Sequence, residues 1–127
     1  MNSVLVVDDE PQIRRALSLN LGARGYEVIE ATTGEAAIVK IRARHPDVVL
    51  LDLGLPDMDG IVVLDSIRQW SDVAVIVLTV RDDERSKVAA FEAGADDYVT
   101  KPFDMAELAD RIATVLRGNA GAASDPP

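Results

Sequence analysis

The sequence predicts one doubly wound α/β domain in which a five-stranded parallel sheet is covered by helices on both faces. Apolar, largely β-branched runs without polar alternation recur at Val4 to Val7, Val48 to Leu51 and Val75 to Leu78, as in strands buried on both sides. Segments of helical period separate them, the alternation that parallel strands with crossover helices require. A chain of 127 residues with 48% apolar composition holds five strand–helix pairs around one core and is too short for two ordinary domains.

The elements follow in order. The first strand stops before Asp8 and Asp9. Pro11 suits the opening turn of a helix, and Ile13, Leu17 and Leu21 recur every fourth residue until Gly22 and Gly25 punctuate the end. Glu27 to Glu30 reads as a short second strand. Thr32 and Thr33 are candidate N-caps for a second helix bearing Ala37, Ile38 and Ile41, which His45 and Pro46 terminate. Past the third strand, Ile61, Leu64 and Ile67 mark a third helix. A fourth is expected from about Asp82 to Glu92, with Gly94 allowing a left-handed C-cap. The fifth strand lies in DDYVTK. In the last helix Asp104 and Glu107 have capping-box spacing, and Leu108, Ile112 and Val115 form a buried stripe. Beyond Arg117, GNAGAASDPP has no large apolar residue, so the domain is expected over 1–117 and a flexible tail or interdomain linker over 118–127.

Composition narrows the function. Thirteen basic residues against 22 acidic ones leave a formal charge of −9, which argues against this segment gripping a phosphate backbone by itself. No apolar run approaches the roughly 20 residues that span a bilayer, and the N-terminus lacks the basic and apolar regions of a signal peptide. A cytoplasmic location with no membrane partner is expected. The absence of cysteine removes disulfides, thiolate nucleophiles and Cys-based metal sites, and His45 alone makes no histidine cluster. The chemistry rests on carboxylates.

Those carboxylates have a shared position. Asp8, Asp9, Asp52, Thr79 and Lys101 each sit where an apolar strand run stops, and parallel strands all end at one edge, where open α/β sheets bind their ligands. A single Asp at a strand end is ordinarily a helix cap or a solvated turn residue; five such residues on four strands point to one pocket. Crowded carboxylates repel, and Mg²⁺, a hard cation that takes oxygen ligands alongside phosphate, is the natural counterion. Asp8 and Asp9 suit the metal. Asp52, beside the metal and a lysine, suits nucleophilic attack on phosphorus with formation of an acyl phosphate. Thr79 and Lys101 would then neutralise the phosphoryl oxygens, by hydrogen bond and by charge.

Over about residues 3 to 117, the blocks VLVVDDEP, LLDLGLPDMDG, VIVLTVRDDE and GADDYVTKPF resemble, in order and spacing, the receiver domain of two-component response regulators. The resemblance implies a flavodoxin-like (βα)5 fold with strand order 2-1-3-4-5. It implies Asp52 as phosphoacceptor, Asp9 as direct Mg²⁺ ligand, Asp8 as a ligand acting largely through water, and the Gly54 carbonyl as completing the site. Thr79 would be the switch hydroxyl, Tyr98 the switch aromatic, and Lys101 the phosphate partner, followed by a cis bond to Pro102. The family's self-phosphorylation and autodephosphorylation are the only catalysis implied.

The closer likeness, in DLGLPDMDG and RQWSDVAVIVLT, is to winged-helix transcriptional regulators and among them to the KdpE-type regulators of potassium-transport operons. It implies phosphorylation by a sensor histidine kinase of the KdpD kind, with DNA reached only through a C-terminal effector domain that the linker would join. Phosphorylation would move Thr79 and Tyr98 and reshape the face of the fourth helix, fifth strand and fifth helix. Lys87, Glu92, Asp96, Asp97, Glu107 and Arg111 on that face match a symmetric homodimer contact. Val80, where the family typically has alanine, would narrow the route to the site, and Arg81 and Gly54 are placed to tune hydrolysis. A Mg²⁺-dependent phosphatase using Asp52 is disfavoured because Gly54 stands where such an enzyme needs its general acid. A nucleotide or flavin binder is disfavoured by the lack of GxGxxG and P-loop patterns. Retention of all five pocket residues argues against a receiver that never carries phosphate.

Overall fold

The computed structural model describes residues 1–124, with side chains described to residue 118. Strands and helices alternate throughout: β1 Ser3–Val7, α1 Pro11–Ala23, β2 Glu27–Ala31, α2 Gly34–Arg44, β3 Val48–Leu51, α3 Gly60–Arg68, β4 Ala74–Thr79, α4 Glu84–Glu92, β5 Asp97–Thr100 and α5 Met105–Ser124. All strand pairs are parallel and the sheet order is β2-β1-β3-β4-β5, as the resemblance implies.

The pleat divides the core in two. Val4, Val6, Val48, Leu50, Ile76 and Leu78 face α1 and α5, meeting Leu17, Leu21, Leu108 and Ile112. Leu5, Val7, Val49, Leu51 and Val75 face the other way, onto Ala37 and Ile41 of α2 and Val63, Leu64 and Ile67 of α3. Both sides of the central strands are therefore apolar, which is why their sequences show no alternation.

The helix ends follow local chemistry. Thr33, not Thr32, caps α2, its hydroxyl accepting from the Ala36 N–H at 3.0 Å, and His45 closes that helix at φ 47°. Asp83 caps α4 by accepting from the Ser86 N–H at 2.9 Å, so the helix begins two residues later than Asp82. Gly94 follows with φ 108°, and the Ala95 N–H donates to Ala90 O across the end of the helix. Only half of the expected capping box forms on α5: Asp104 accepts from the Glu107 N–H at 3.0 Å, while the Glu107 carboxylate turns to Arg111.

The last helix outlasts the change in composition at residue 118. The tail expected from residue 118 begins as helix, since α5 runs on to Ser124. Alanines at 120, 122 and 123 have the highest helix propensity of any residue, and Gly118 and Gly121 do not outweigh them. Residues 125–127 of the expected linker lie outside the described residues.

Candidate functional site

Parallel strands carry their last residues to one rim. Thr79 is the final residue of β4, Asp8 and Asp52 directly follow β1 and β3, and Lys101 directly follows β5. Asp8, Asp52 and Thr79 are buried, at 2%, 7% and 1% exposure, in a molecule whose other buried polar side chain is Ser3 among the described residues. The Lys101 ammonium donates to Asp8 Oδ2 at 2.6 Å and to Asp52 Oδ2 at 3.2 Å, and lies 3.6 Å from Glu10 Oε1. The peptide bond from Lys101 to Pro102 is cis.

Buried charges are tolerated only when paired, and here the pairing is incomplete. Burial pushes the Asp8 carboxyl above its usual range; Asp52 adds to this, against opposing hydrogen bonds from Lys101 and the Glu10 N–H. Burial alone would depress the Lys101 ammonium, but its hydrogen bond to Asp8 and the charge of Asp52 hold it above its usual value. Lys101 thus stays charged, one cation facing three acids. The carboxylates of Asp8, Glu10 and Asp52 present oxygens within 4.8 Å of one another, a hard, anionic donor set of the kind that suits Mg²⁺.

Asp9, expected beside Asp8, is exposed, and Glu10 stands in the carboxylate cluster instead. Gly54 lies on the segment joining β3 to α3, its N–H donating to Asp52 Oδ1 at 3.2 Å. That segment is folded on itself: Gly54 and Asp59 form an antiparallel bridge, and the Gly60 N–H donates to Leu53 O at 2.8 Å. A Cβ on Gly60 would come within 2.5 Å of Asp52 O and 2.7 Å of Leu53 Cα, so only glycine allows this approach.

The β4–α4 loop links Thr79 to Tyr98 through Arg81. The Arg81 N–H donates to Thr79 Oγ1 at 3.3 Å, and its guanidinium reaches Asp59 Oδ2 at 3.0 Å and Leu53 O at 3.3 Å. Its carbonyl accepts from the Tyr98 hydroxyl at 2.7 Å. Tyr98 packs near Phe91 with ring centroids 6.3 Å apart. Val80 between Thr79 and Arg81 is 69% exposed.

On the expected dimer face the charged residues are partly engaged within the chain. The Arg111 guanidinium donates to both oxygens of Asp97, at 2.8 and 2.9 Å, and to Glu107 at 3.1 Å. Lys87 and Glu92 lie on α4 beside Val88 and Phe91, two half-exposed apolar side chains. Asp96 is turned elsewhere, accepting from the Val75 N–H at 2.8 Å and from Arg68 at 3.2 Å. Sequence reading passed over Glu10, Asp57, Asp59 and Arg68. Of these only Asp59 carried a local signal, an Asp directly before a helical run, and it does cap α3 through the Ile61 N–H at 2.9 Å.

The chain matches the response regulator receiver domain family over residues 4–113, and it belongs to that family. It is 56% identical over 123 residues to the transcriptional regulatory protein KdpE of Mycobacterium tuberculosis strain H37Rv, covering 97% of this chain and 54% of the relative. It is 46% identical over 127 residues to the KDP operon transcriptional regulatory protein KdpE of Escherichia coli K12, covering all of this chain and 56% of the relative. The chain thus spans about half the length of these curated relatives. Among solved structures, a CheY-like receiver domain protein from Methanospirillum hungatei superposes with TM-score 0.92 at 28% identity, over 96% of this chain and 98% of that one. The BeF3-activated N-terminal receiver domain of Klebsiella pneumoniae RstA superposes with TM-score 0.88 at 30% identity, over 91% and 99%. No helix among the described residues is long and apolar enough to cross a membrane.

Proposed function

We propose that this receiver domain is a phosphorylation-operated switch, in which Asp52 accepts a phosphoryl group from a sensor histidine kinase of the KdpD kind and the α4–β5–α5 face then pairs with a second copy. The observation that carries this reading is Lys101, one ammonium hydrogen-bonded to two buried carboxylates that arrive from different strands. Such a cation is already in place to meet phosphoryl oxygens, and needs no reorganisation when negative charge arrives.

An Asp52 oxygen attacks phosphorus, forming the acyl-phosphate bond as the bond from phosphorus to the donor breaks, and the leaving group departs with its electron pair. Lys101 then transfers its contact from the Asp52 oxygen to a phosphoryl oxygen while keeping Asp8. Mg²⁺, when bound, neutralises charge on the transferring group. Asp8 and Asp52 would hold it with Asp9, the neighbour of Asp8 on the same turn, and with the Gly54 carbonyl. Glu10 brings an oxygen into the cluster and pairs with Lys101, but its half-exposed side chain leaves it a peripheral member.

The output follows from the Thr79–Arg81–Tyr98 chain of contacts. Drawing Thr79 Oγ1 to the phosphoryl group withdraws it from the Arg81 N–H, and the carbonyl that holds the Tyr98 hydroxyl belongs to that same Arg81. Tyr98 then leaves for the space Thr79 vacates, changing the surface around Phe91 and Val88. In a longer protein, pairing through this face would bring two DNA-binding domains together for transcription control, with the potassium-transport operons of the KdpE relatives as the expected targets. Intact-mass measurement after incubation with acetyl phosphate and Mg²⁺ tests the central step. A phosphate-sized adduct on the wild type and none on Asp52→Asn is expected; no adduct on the wild type from either acetyl phosphate or the kinase sinks the reading.

A further inference from the structure

The segment that carries Asp52 into α3 is anchored at its far side by a residue with no part in the pocket. Asp57 sits on the segment between β3 and α3, and its carboxylate reaches across to another helix. Oδ1 accepts from the Gly34 N–H at 2.8 Å and Oδ2 from the Glu35 N–H at 3.0 Å. These are the first two amides of α2, groups with no partner inside their own helix. Thr33 serves the next amide, that of Ala36, so the helix start is shared between one local cap and one distant one. The two strong N–H bonds hold the Asp57 carboxyl below its usual range.

The packing supports the same anchor. A Cβ on Gly34 would lie 2.7 Å from both Met58 Cγ and Val63 Cγ2, so the glycine lets the segment seat directly on the start of α2. The opposite flank is closed on Asp52 and Leu53 by Gly60. Between these two fixed points lies Gly54, whose N–H is bonded to the Asp52 carboxylate.

We infer that Asp57 is a positioning residue for the cation and phosphoryl site: by fastening the β3–α3 segment to the N-terminus of α2, it fixes where Asp52 and Gly54 stand. This rests on the metal-and-phosphoryl reading of the Asp52 pocket. It separates two residues that cap the same helix. Thr33 supports α2 alone, whereas Asp57 supports α2 and the acceptor segment together.

The test is calorimetric titration of the domain with Mg²⁺ alone, on wild type, Asp57→Ala, Asp57→Asn and Thr33→Ala, with amide hydrogen exchange on the same proteins. Asp57→Ala is expected to weaken Mg²⁺ binding about tenfold, the low end for loss of a supporting shell around a metal site. Asp57→Asn, which keeps one acceptor oxygen, should fall between it and wild type. Thr33→Ala should keep wild-type affinity despite a comparable loss at the helix end. Exchange should quicken over residues 53–60 in Asp57→Ala and only at the start of α2 in Thr33→Ala. Unchanged affinity in Asp57→Ala, or equal weakening in Thr33→Ala, overturns the positioning role while leaving the metal site intact. Absence of Mg²⁺ binding in wild type overturns both.

Discussion

At the scale of single residues, the pocket is defined by unbalanced charge. Asp8 is held above its usual range by burial, so its folded form favours the proton more than the unfolded chain does. The stability tied to that proton is present below the ordinary carboxylate range and is lost as pH rises through the raised value. In metal-free buffer at neutral pH, Asp8→Asn is therefore expected to raise Tm by a few degrees and to flatten its fall with rising pH, measured by thermal unfolding. Equal Tm values for the two proteins between pH 4 and 8 would contradict this. The metal shell is a second residue-scale question. Asp9→Asn should weaken Mg²⁺ binding by tenfold or more, while Glu10→Gln should change it less than about threefold; the reverse ranking in a Mg²⁺ titration would hand the ligand role to Glu10. The sequence led to the pocket through Asp8, Asp52 and Thr79, each the first polar residue after a buried run, and through Lys101, which directly follows the last strand. It named Asp9 beside Asp8 and passed over Glu10. Once a strand has ended, side-chain direction depends on the turn, and DDE offers three acids in a row without saying which one turns inward.

At the scale of elements, helices and strands were legible wherever burial imposes a period. Leu64 and Ile67 of α3 are wholly buried, as their spacing implied, and Leu64→Ala should lower stability by about 3 kcal/mol in denaturant unfolding. What the sequence withheld are contacts between elements. Asp57 reaching α2, Arg68 reaching Gly94 and Asp96, and Arg81 reaching Asp59 join residues more than 20 positions apart. No local pattern records such pairs. Asp96 shows the same limit: its place on the dimer face came from resemblance, while its carboxylate is occupied by Arg68 and the Val75 N–H. The β3–α3 segment depends on close approach at Gly60, where backbone rather than a flexible side chain stands in the way. Gly60→Ala should destabilise the domain by about 3 kcal/mol, at the upper end for overpacking, and slow phosphorylation of Asp52 by acetyl phosphate. A substitution that leaves both unchanged would mean that the Asp52–Leu53 backbone yields without loss.

At the scale of the whole molecule, the switch is a question of association. Val88 and Phe91 are exposed apolar side chains flanked by Lys87 and Glu92, next to the Arg111, Asp97 and Glu107 network. Exposed ion pairs are worth about 0 to 1 kcal/mol each, so they set the register of a symmetric contact and the apolar pair supplies adhesion. Beryllofluoride with Mg²⁺ should raise the dimer fraction in sedimentation, and Phe91→Ala should reduce that rise without reducing Mg²⁺ affinity. Equal dimer fractions with and without beryllofluoride would remove dimerisation from the proposed output. The change in composition after Arg117 was legible, but not that the helix would outlast it to Ser124.

The ammonium bridge also bears on how the protein is made. Lys101 and Asp8 are 93 positions apart, and Lys101 arrives only after β5, the outermost strand on its side of the sheet, has docked. A chain emerging from the ribosome therefore exposes its acids long before it acquires the cation that balances them. Completion of the pocket is therefore a late event of synthesis, because Asp8, Asp52 and Thr79 all precede Lys101 in the chain.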